Sequence, residues 1–292
     1  MLAKKYQDKI KTLKQKFDFL KKDKESLLRV LNEVEIPEAV YNSNAIEDST
    51  LTISETEQIL LDLEISRNIS LREIFEARNL AQVTDYIYKN RKKLGINIET
   101  ILLLHKMLIS NIRDDIAGRF RKADEYVRVG KYIAPAPEKI KGLINELLDN
   151  FQNNEKDILS KISEFHLFFE KIHPFADGNG RIGRVLINLM LLKNGFTPII
   201  IRNSEKQYYY NTFKLYDKNE KEKALKDFSK ILYLQLSESF HKRITYLKGE
   251  KIIRISEYAK KENQSSASFL NKAKRQTIPA FREKGVWMIG KK

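Results

Sequence analysis

Residues 38–94 and 199–248 contain neither glycine nor proline, and apolar side chains recur through them at intervals of three and four. A long unbroken stretch with that period folds as helix rather than strand. The whole 292-residue chain holds only eleven glycines and six prolines. The expected class is therefore mainly α, and at this length more than one packed unit is expected.

Residues 1 to about 33 read as one charged helix, with Ile10, Leu13, Phe17, Leu20 and Leu27 along one side. Pro37 is suited to a first helical turn and opens a short helix through about residue 48. Ser54 to Glu57 has capping-box spacing before a helix to about Arg67, and Ser70 with Glu73 repeats it before a helix to about Asn90. A helix over about 98–110 contains His105. Val127, Val129 and Tyr132 alternate as in a short hairpin that Pro135 and Pro137 end. Helices are expected over 137–151, 157–172, 181–194, 205–216 and 221–248, with an extended piece at 197–201. The final stretch reads as helix, polar turn at 263–265, helix, and a small hairpin around Gly285, a helix-turn-helix with a wing.

One junction differs from every other. HPFADGNGRIGR, residues 173–184, lies between two helical stretches. Gly178, Asn179 and Gly180 tolerate positive φ and feed a helix N-terminus, where free amides seat an anion. Arg181 and Arg184 share a helix face, and two guanidinium forks beside such a nest suit a polyphosphate. Asp177 beside bound phosphate calls for an intervening cation, with Mg2+ the natural choice. His173, with a near-neutral pKa, is suited to take a proton from an attacking hydroxyl. Pro174 and Phe175 would anchor the turn to the core.

This line resembles the Fic family signature, H-P-F-x-D/E-G-N-G-R-x-x-R, and matches it at every specified position. The resemblance extends over about residues 36–247 and includes the preceding EFHLFFEKI. It implies a helical bundle with a β-hairpin flap, and transfer of AMP from ATP to a Ser, Thr or Tyr hydroxyl of a target protein or of the chain itself. His173 would be the general base and Asp177 the metal ligand. The nucleotide would be bound within Asp177, Gly178, Asn179, Gly180, Arg181, Ile182, Gly183 and Arg184, the last on the γ-phosphate. The flap, Val127, Arg128, Val129 and Gly130 onward to residue 133, would dock the target by strand addition. Tyr209 and Tyr210 match base-contacting positions, and Asp217 stands where some relatives carry asparagine.

SNAIED, residues 43–48, places Ser43 and Glu47 on one helix face. It is similar to the family's autoinhibitory helix, S/T-x-x-x-E-G/N, with Asp48 at the last position. A carboxylate brought to Arg184 would neutralise the side chain that the γ-phosphate needs. Some relatives use this glutamate to remove AMP, so the reverse reaction stays open, as does transfer of other phosphate-containing groups.

The net charge is +15, and residues 251–292 carry eleven Lys/Arg against three acids. The winged unit resembles small DNA-binding modules, with Arg254, Lys272, Lys274, Arg275, Arg282 and Lys284 as candidate phosphate contacts and Trp287 as a core anchor. A nucleotide-sensing DNA-binding regulator is the competing function. The expected divisions are 1–35, 36–248 with an inhibitory helix at 37–48, and 249–292. A homodimer is a further expected partner. With no cysteine, disulfide and thiolate chemistry are excluded. No run of eighteen apolar residues or secretory pattern is found, so no membrane partner and a cytoplasmic location are expected.

Overall fold

The computed structural model describes residues 2–130, 132–153 and 155–291; Met1, Lys131, Asn154 and Lys292 lie outside them, Lys131 falling within the expected flap. The centre of the bundle is α8 (Asn179–Lys193), buried on all sides through Ile182, Leu186, Ile187, Leu189, Met190 and Leu191. A helix apolar around its circumference has to lie inside a bundle. Gly195, at φ 72, follows its end. Packed on α8 are α4 (Leu71–Asn90), α5 (Ile98–Ile109) and α7 (Ile158–Ile172). Behind α7 run α6 (Ile140–Asn153) and α10 (Lys221–Leu247), with α9 (Lys206–Asp217) against α10. Residues 197–201, expected to be extended, pair with no strand.

The N-terminal expectation needs correction. Two helices, α1 (Lys4–Leu20) and α2 (Glu25–Ile46), replace the predicted break at Pro37, and the turn is at 21–24, where Asp23 has φ 59. The predicted helix 37–48 is thus the second half of α2, which runs through Pro37 and ends at Ile46. Proline inside a helix removes one hydrogen bond and strains the preceding turn. Here tertiary contacts around Pro37 hold the helix together: Glu35 is buried between Lys242 and Arg243, and Glu38 is buried against Arg202. A second correction falls on α3 (Ile53–Leu60), which ends well short of Arg67 and whose capping box is Thr52 with Glu55, two residues earlier than predicted.

The hairpin is shorter than its sequence pattern: β1 (Arg128–Val129) pairs antiparallel with β2 (Tyr132–Ile133). After α10 the chain forms β3 (Lys251–Arg254), α11 (Ile255–Lys261), α12 (Ser266–Lys274), β4 (Ala280–Glu283) and β5 (Val286–Lys291), with strand order β3-β5-β4. Strand β3 was not foreseen. Its pairing with β5 turns the hairpin around Gly285 into a three-stranded sheet. This unit has its own small core of Ile255, Ala259, Phe269, Ala273 and Ala280, with Trp287 packed against it as expected.

Arg282 was expected on DNA phosphates and is instead buried. Its guanidinium meets Glu238 at 2.7 Å and Glu205 at 2.9 Å, while Glu238 also meets Arg202 at 2.8 Å. The hairpin tip reaches α2 and α3, with the Gly285 amide donating to Glu38 (3.2 Å) and Lys284 meeting Glu57 (2.8 Å). A buried arginine among carboxylates is a docking element, since its charge is spent inside the protein.

Candidate active site

Helix α7 ends at His173, a left-handed residue (φ 48, ψ 61), and α8 begins after Gly178 (φ 81). Between them the chain reverses, and three groups hold it there. Asn179 clamps the turn, accepting from the Phe175 amide (2.9 Å) and donating to its carbonyl (2.8 Å). Phe175, fully buried, stacks on His105 with centroids 3.7 Å apart. The His105 ring takes the Gly118 amide on Nδ1 (3.1 Å), which leaves Nε2–H to donate to the Asp177 carbonyl (3.0 Å). Burial pushes His105 down to about 4, so it stays in this neutral tautomer at neutral pH.

Beneath the turn lies Arg121, buried, which donates to the carbonyls of His173 (2.9 Å), Glu125 (2.8 Å) and Pro135 (2.8 Å). One guanidinium thereby ties the histidine's backbone to both ends of the hairpin segment. Neither His105 nor Arg121 belongs to a local motif. Only the packing of distant segments brings them to the turn.

A cavity of about 430 Å³ opens over this junction, lined by His173 and Asp177 through Arg181, and on the opposite wall by Glu47 to Thr50, Arg72, Glu73 and Glu76. Burial pushes the His173 imidazole down to about 4. At neutral pH the ring is therefore uncharged and able to accept a proton. Burial opposes ionisation of Asp177, yet the Arg181 and Arg72 charges outweigh it and hold the carboxyl below its ordinary value. Asp177 meets Arg72 at 2.6 Å and Arg181 at 3.2 Å, and Arg181 also meets Glu76 at 3.0 Å.

Arg184 does not line the cavity; Glu47 does. The Arg184 Nε donates to Ser43 Oγ (2.9 Å), and Nη2 donates to the Ser43 carbonyl (2.9 Å) and to Glu47 Oε1 (2.9 Å). Glu47 also lies against the first turn of α8, so closely that a Cβ on Gly180 would come within 2.3 Å of its carboxylate. Glu47 and Arg184, expected to meet, are in contact, and Ser43 joins them, which the sequence did not indicate.

Other expected nucleotide contacts fall elsewhere. Ile182 is in the core, and Gly183 is where α8 packs on α7, since a Cβ there would collide with Glu170 and His166. Tyr209 is buried beneath Arg184, its hydroxyl 2.8 Å from His166 Nε2, and Tyr210 donates to the Ile46 carbonyl (3.0 Å) at the end of α2. Val127, Arg128, Val129 and Gly130 lie on the hairpin, outside the cavity lining. Asp217 is 4.0 Å from Lys171, which itself lies over the rings of Tyr132 and Tyr216. Sequence reasoning did not single out Glu170. Burial, reinforced by the Glu47 charge, pushes its carboxyl up to about 8, so a neutral acid sits one turn before His173.

The fold and the site define a helical-bundle protein with an amide nest, a neutral histidine and clustered arginines around one cavity. Residues 95–191 match the Fic/DOC family model. The chain is similar to the protein adenylyltransferase Fic of Nematostella vectensis, 33% identical over 177 residues, which covers 59% of this chain and 41% of that protein. The relative of the same name from Drosophila melanogaster is 30% identical over 181 residues, 60% of this chain and 36% of that one. The chain thus spans about two-fifths of the length of these curated relatives. Among solved structures, a Fic domain-containing signalling protein from Bacteroides thetaiotaomicron superposes with TM-score 0.73 at 25% identity, covering 83% of this chain and 97% of that one. Fic-1 from C. elegans superposes with TM-score 0.66 at 23% identity, over 84% of this chain and 72% of that one.

Proposed function

We propose that this chain is a protein adenylyltransferase held inactive by its own Glu47. A target hydroxyl attacks the α-phosphorus of ATP, His173 takes the hydroxyl proton, the bond to the bridging oxygen breaks, and pyrophosphate leaves. The amides at the start of α8 and Arg181 would hold the α- and β-phosphates, and Arg184 the γ-phosphate. Target segments would add as a strand beside the hairpin, whose Val129 and Ile133 are exposed.

Magnesium fits the site by donor chemistry. Among the described residues no group of three or more His, Cys, Asp or Glu side chains could hold a metal alone. Mg2+ ordinarily takes one or two carboxylates and completes its shell with phosphate oxygens and water. Asp177 would supply the carboxylate, and the bound ion would neutralise phosphate charge. The observation carrying the reading is that His173 and Asp177–Arg181 share one cavity, with Glu47 seated on Arg184 at its edge.

The test is mass spectrometry of Glu47→Gly protein incubated with ATP and Mg2+. The expected product carries added AMP on itself or a target, and the His173→Ala double variant carries none. An unmodified Glu47→Gly protein, or labelling equal to wild type, would refute autoinhibited transfer. AMP removal is the second reading, favoured by Glu47 lining the cavity. Release of AMP from a modified target by wild type but not by Glu47→Gly would establish it.

For the C-terminal unit we propose DNA-backbone contact through Arg254, Lys274 and Arg275, which are exposed, with Lys272 half-buried beside them. Full-length protein that shows no salt-sensitive gel shift would remove this role. Among the described residues no helix is long and apolar enough to cross a membrane. A cytoplasmic site of action and a homodimer stay with this proposal.

A further inference from the structure

Asp177, the residue proposed above to hold the metal, has both carboxylate oxygens on guanidinium groups, Oδ2 on Arg72 at 2.6 Å and Oδ1 on Arg181 at 3.2 Å. The two arginines are not equivalent. Arg181 is buried, with 4% of its side chain accessible, and is braced by Glu76. Arg72 stands on the first turn of α4, on the opposite cavity wall, and 54% of its side chain is accessible. Its second contact, to Glu76 at 3.0 Å, keeps it at the cavity rim. The neighbouring Glu73 is engaged elsewhere, accepting from the Thr50 amide (2.8 Å), from the Ser49, Thr50 and Ser70 hydroxyls, and serving as the third residue past the Ser70 cap.

A divalent cation and two guanidinium groups crowded on one carboxylate repel each other, even though each oxygen has a second lone pair. Binding the ion at Asp177 therefore favours release of one arginine, and the exposed, long-armed one costs less to move than the buried, braced one. Once displaced, Arg72 remains over a cavity that faces the amide nest, where a polyphosphate would lie. A guanidinium freed from one oxyanion pairs readily with another.

We propose that Arg72 is a phosphate-binding residue of this site, and that without nucleotide it takes the place of the divalent cation at Asp177. The proposal rests on the reading of Asp177 as the metal ligand. Arg72 then makes metal and nucleotide arrive together: the ion alone must compete with a cation already in place, whereas ion and phosphates together supply a new partner for the displaced arm.

The test uses the full chain with Glu47→Gly, so that no carboxylate occupies Arg184, alone and combined with Arg72→Gln, Arg72→Lys or Asp177→Asn. Nucleotide-free Mn2+ binding is followed by electron paramagnetic resonance, and binding of inorganic pyrophosphate at saturating Mg2+ by calorimetry. A charge-assisted contact of this kind predicts that Arg72→Gln tightens Mn2+ binding by roughly 3- to 10-fold and weakens pyrophosphate binding by a similar factor, with Arg72→Lys between. Because Arg72 is exposed, the variant is expected to fold, and its circular dichroism checks this. Unchanged Mn2+ affinity or unchanged pyrophosphate affinity in Arg72→Gln overturns the proposal while Asp177→Asn still loses Mn2+. If Asp177→Asn binds Mn2+ like its parent, the metal reading falls, and the role of Arg72 with it.

Discussion

Helix α2 presents carboxylates to arginines at two places, and the two places are built differently. In its middle, Glu38 is 5% exposed and meets Arg202, which meets Glu238, which meets Arg282. At its end, Glu47 meets the single arginine Arg184, with 36% of its side chain accessible at a cavity wall. The first arrangement saturates each charge inside the protein and joins α2 to α10 and the C-terminal sheet. The second leaves the acid a route to solvent. Breaking a buried pair strands a charge, whereas a half-exposed acid can return to water at little cost. The same helix thus combines a fixed middle with a releasable end.

The largest effect should come from the middle. Arg202→Met leaves Glu38 buried without its cation and is expected to cost about 3–5 kcal/mol, read as a lower urea midpoint at unchanged slope. A midpoint equal to wild type would mean that the network is not structural.

Acid comes next. Glu238 is held down to about 2, since Arg202 and Arg282 outweigh the burial that opposes its ionisation. Its stabilisation is present above the ordinary carboxylate range and is lost only as pH falls towards about 2. The four histidines of the chain act in the same direction, but at higher pH. Burial pushes His105, His173 and His241 down to about 4 and His166 to about 3. Below the unfolded value of about 6.5 the unfolded chain binds protons that the folded chain refuses, so stability falls as pH drops from there towards each folded value. Unfolding midpoints should therefore decline between about pH 6.5 and 4, while Glu238 is still ionised. A flat stability profile across that window would contradict the buried histidines. Labelling by Glu47→Gly protein should persist below pH 6 wherever the fold survives, because His173 remains a neutral base there.

The smallest effect belongs to the end of α2. Glu47→Gly should cost less folding stability than Arg202→Met, because Arg184 keeps the Ser43 hydroxyl and carbonyl as acceptors, even though it is expected to change labelling most. If it unfolds as readily as Arg202→Met, Glu47 belongs to the structural network and is no switch.

Much of the site was legible because its chemistry is local. His173, Asp177, the Gly178–Gly180 nest and the two arginines lie within one turn and one helix, so spacing along the chain nearly fixes spacing in space. Ser43 and Glu47 were found by a second short motif. The residues that were missed share the opposite property. His105, Arg121, Arg72 and Glu76 come from other helices and loops, and no local pattern marks them. Ile182, Gly183, Tyr209 and Tyr210 lie off the cavity lining: Ile182 is in the core, Gly183 is where α8 packs on α7, Tyr209 is buried beneath Arg184 and Tyr210 donates to the end of α2.

Sequence alone determined the helical class, since a chain this poor in glycine and proline with period near 3.6 has few alternatives. It also determined the turn before α8, because φ-permissive residues followed by a helix start create an amide nest by local geometry. Tertiary structure decided which arginines face the cavity. Arg282 looked like a surface cation and is enclosed by Glu238 and Glu205, whereas Arg72 attracted no notice and stands over the cavity. A guanidinium's role depends on the carboxylates that meet it, and those come from segments far away in the chain.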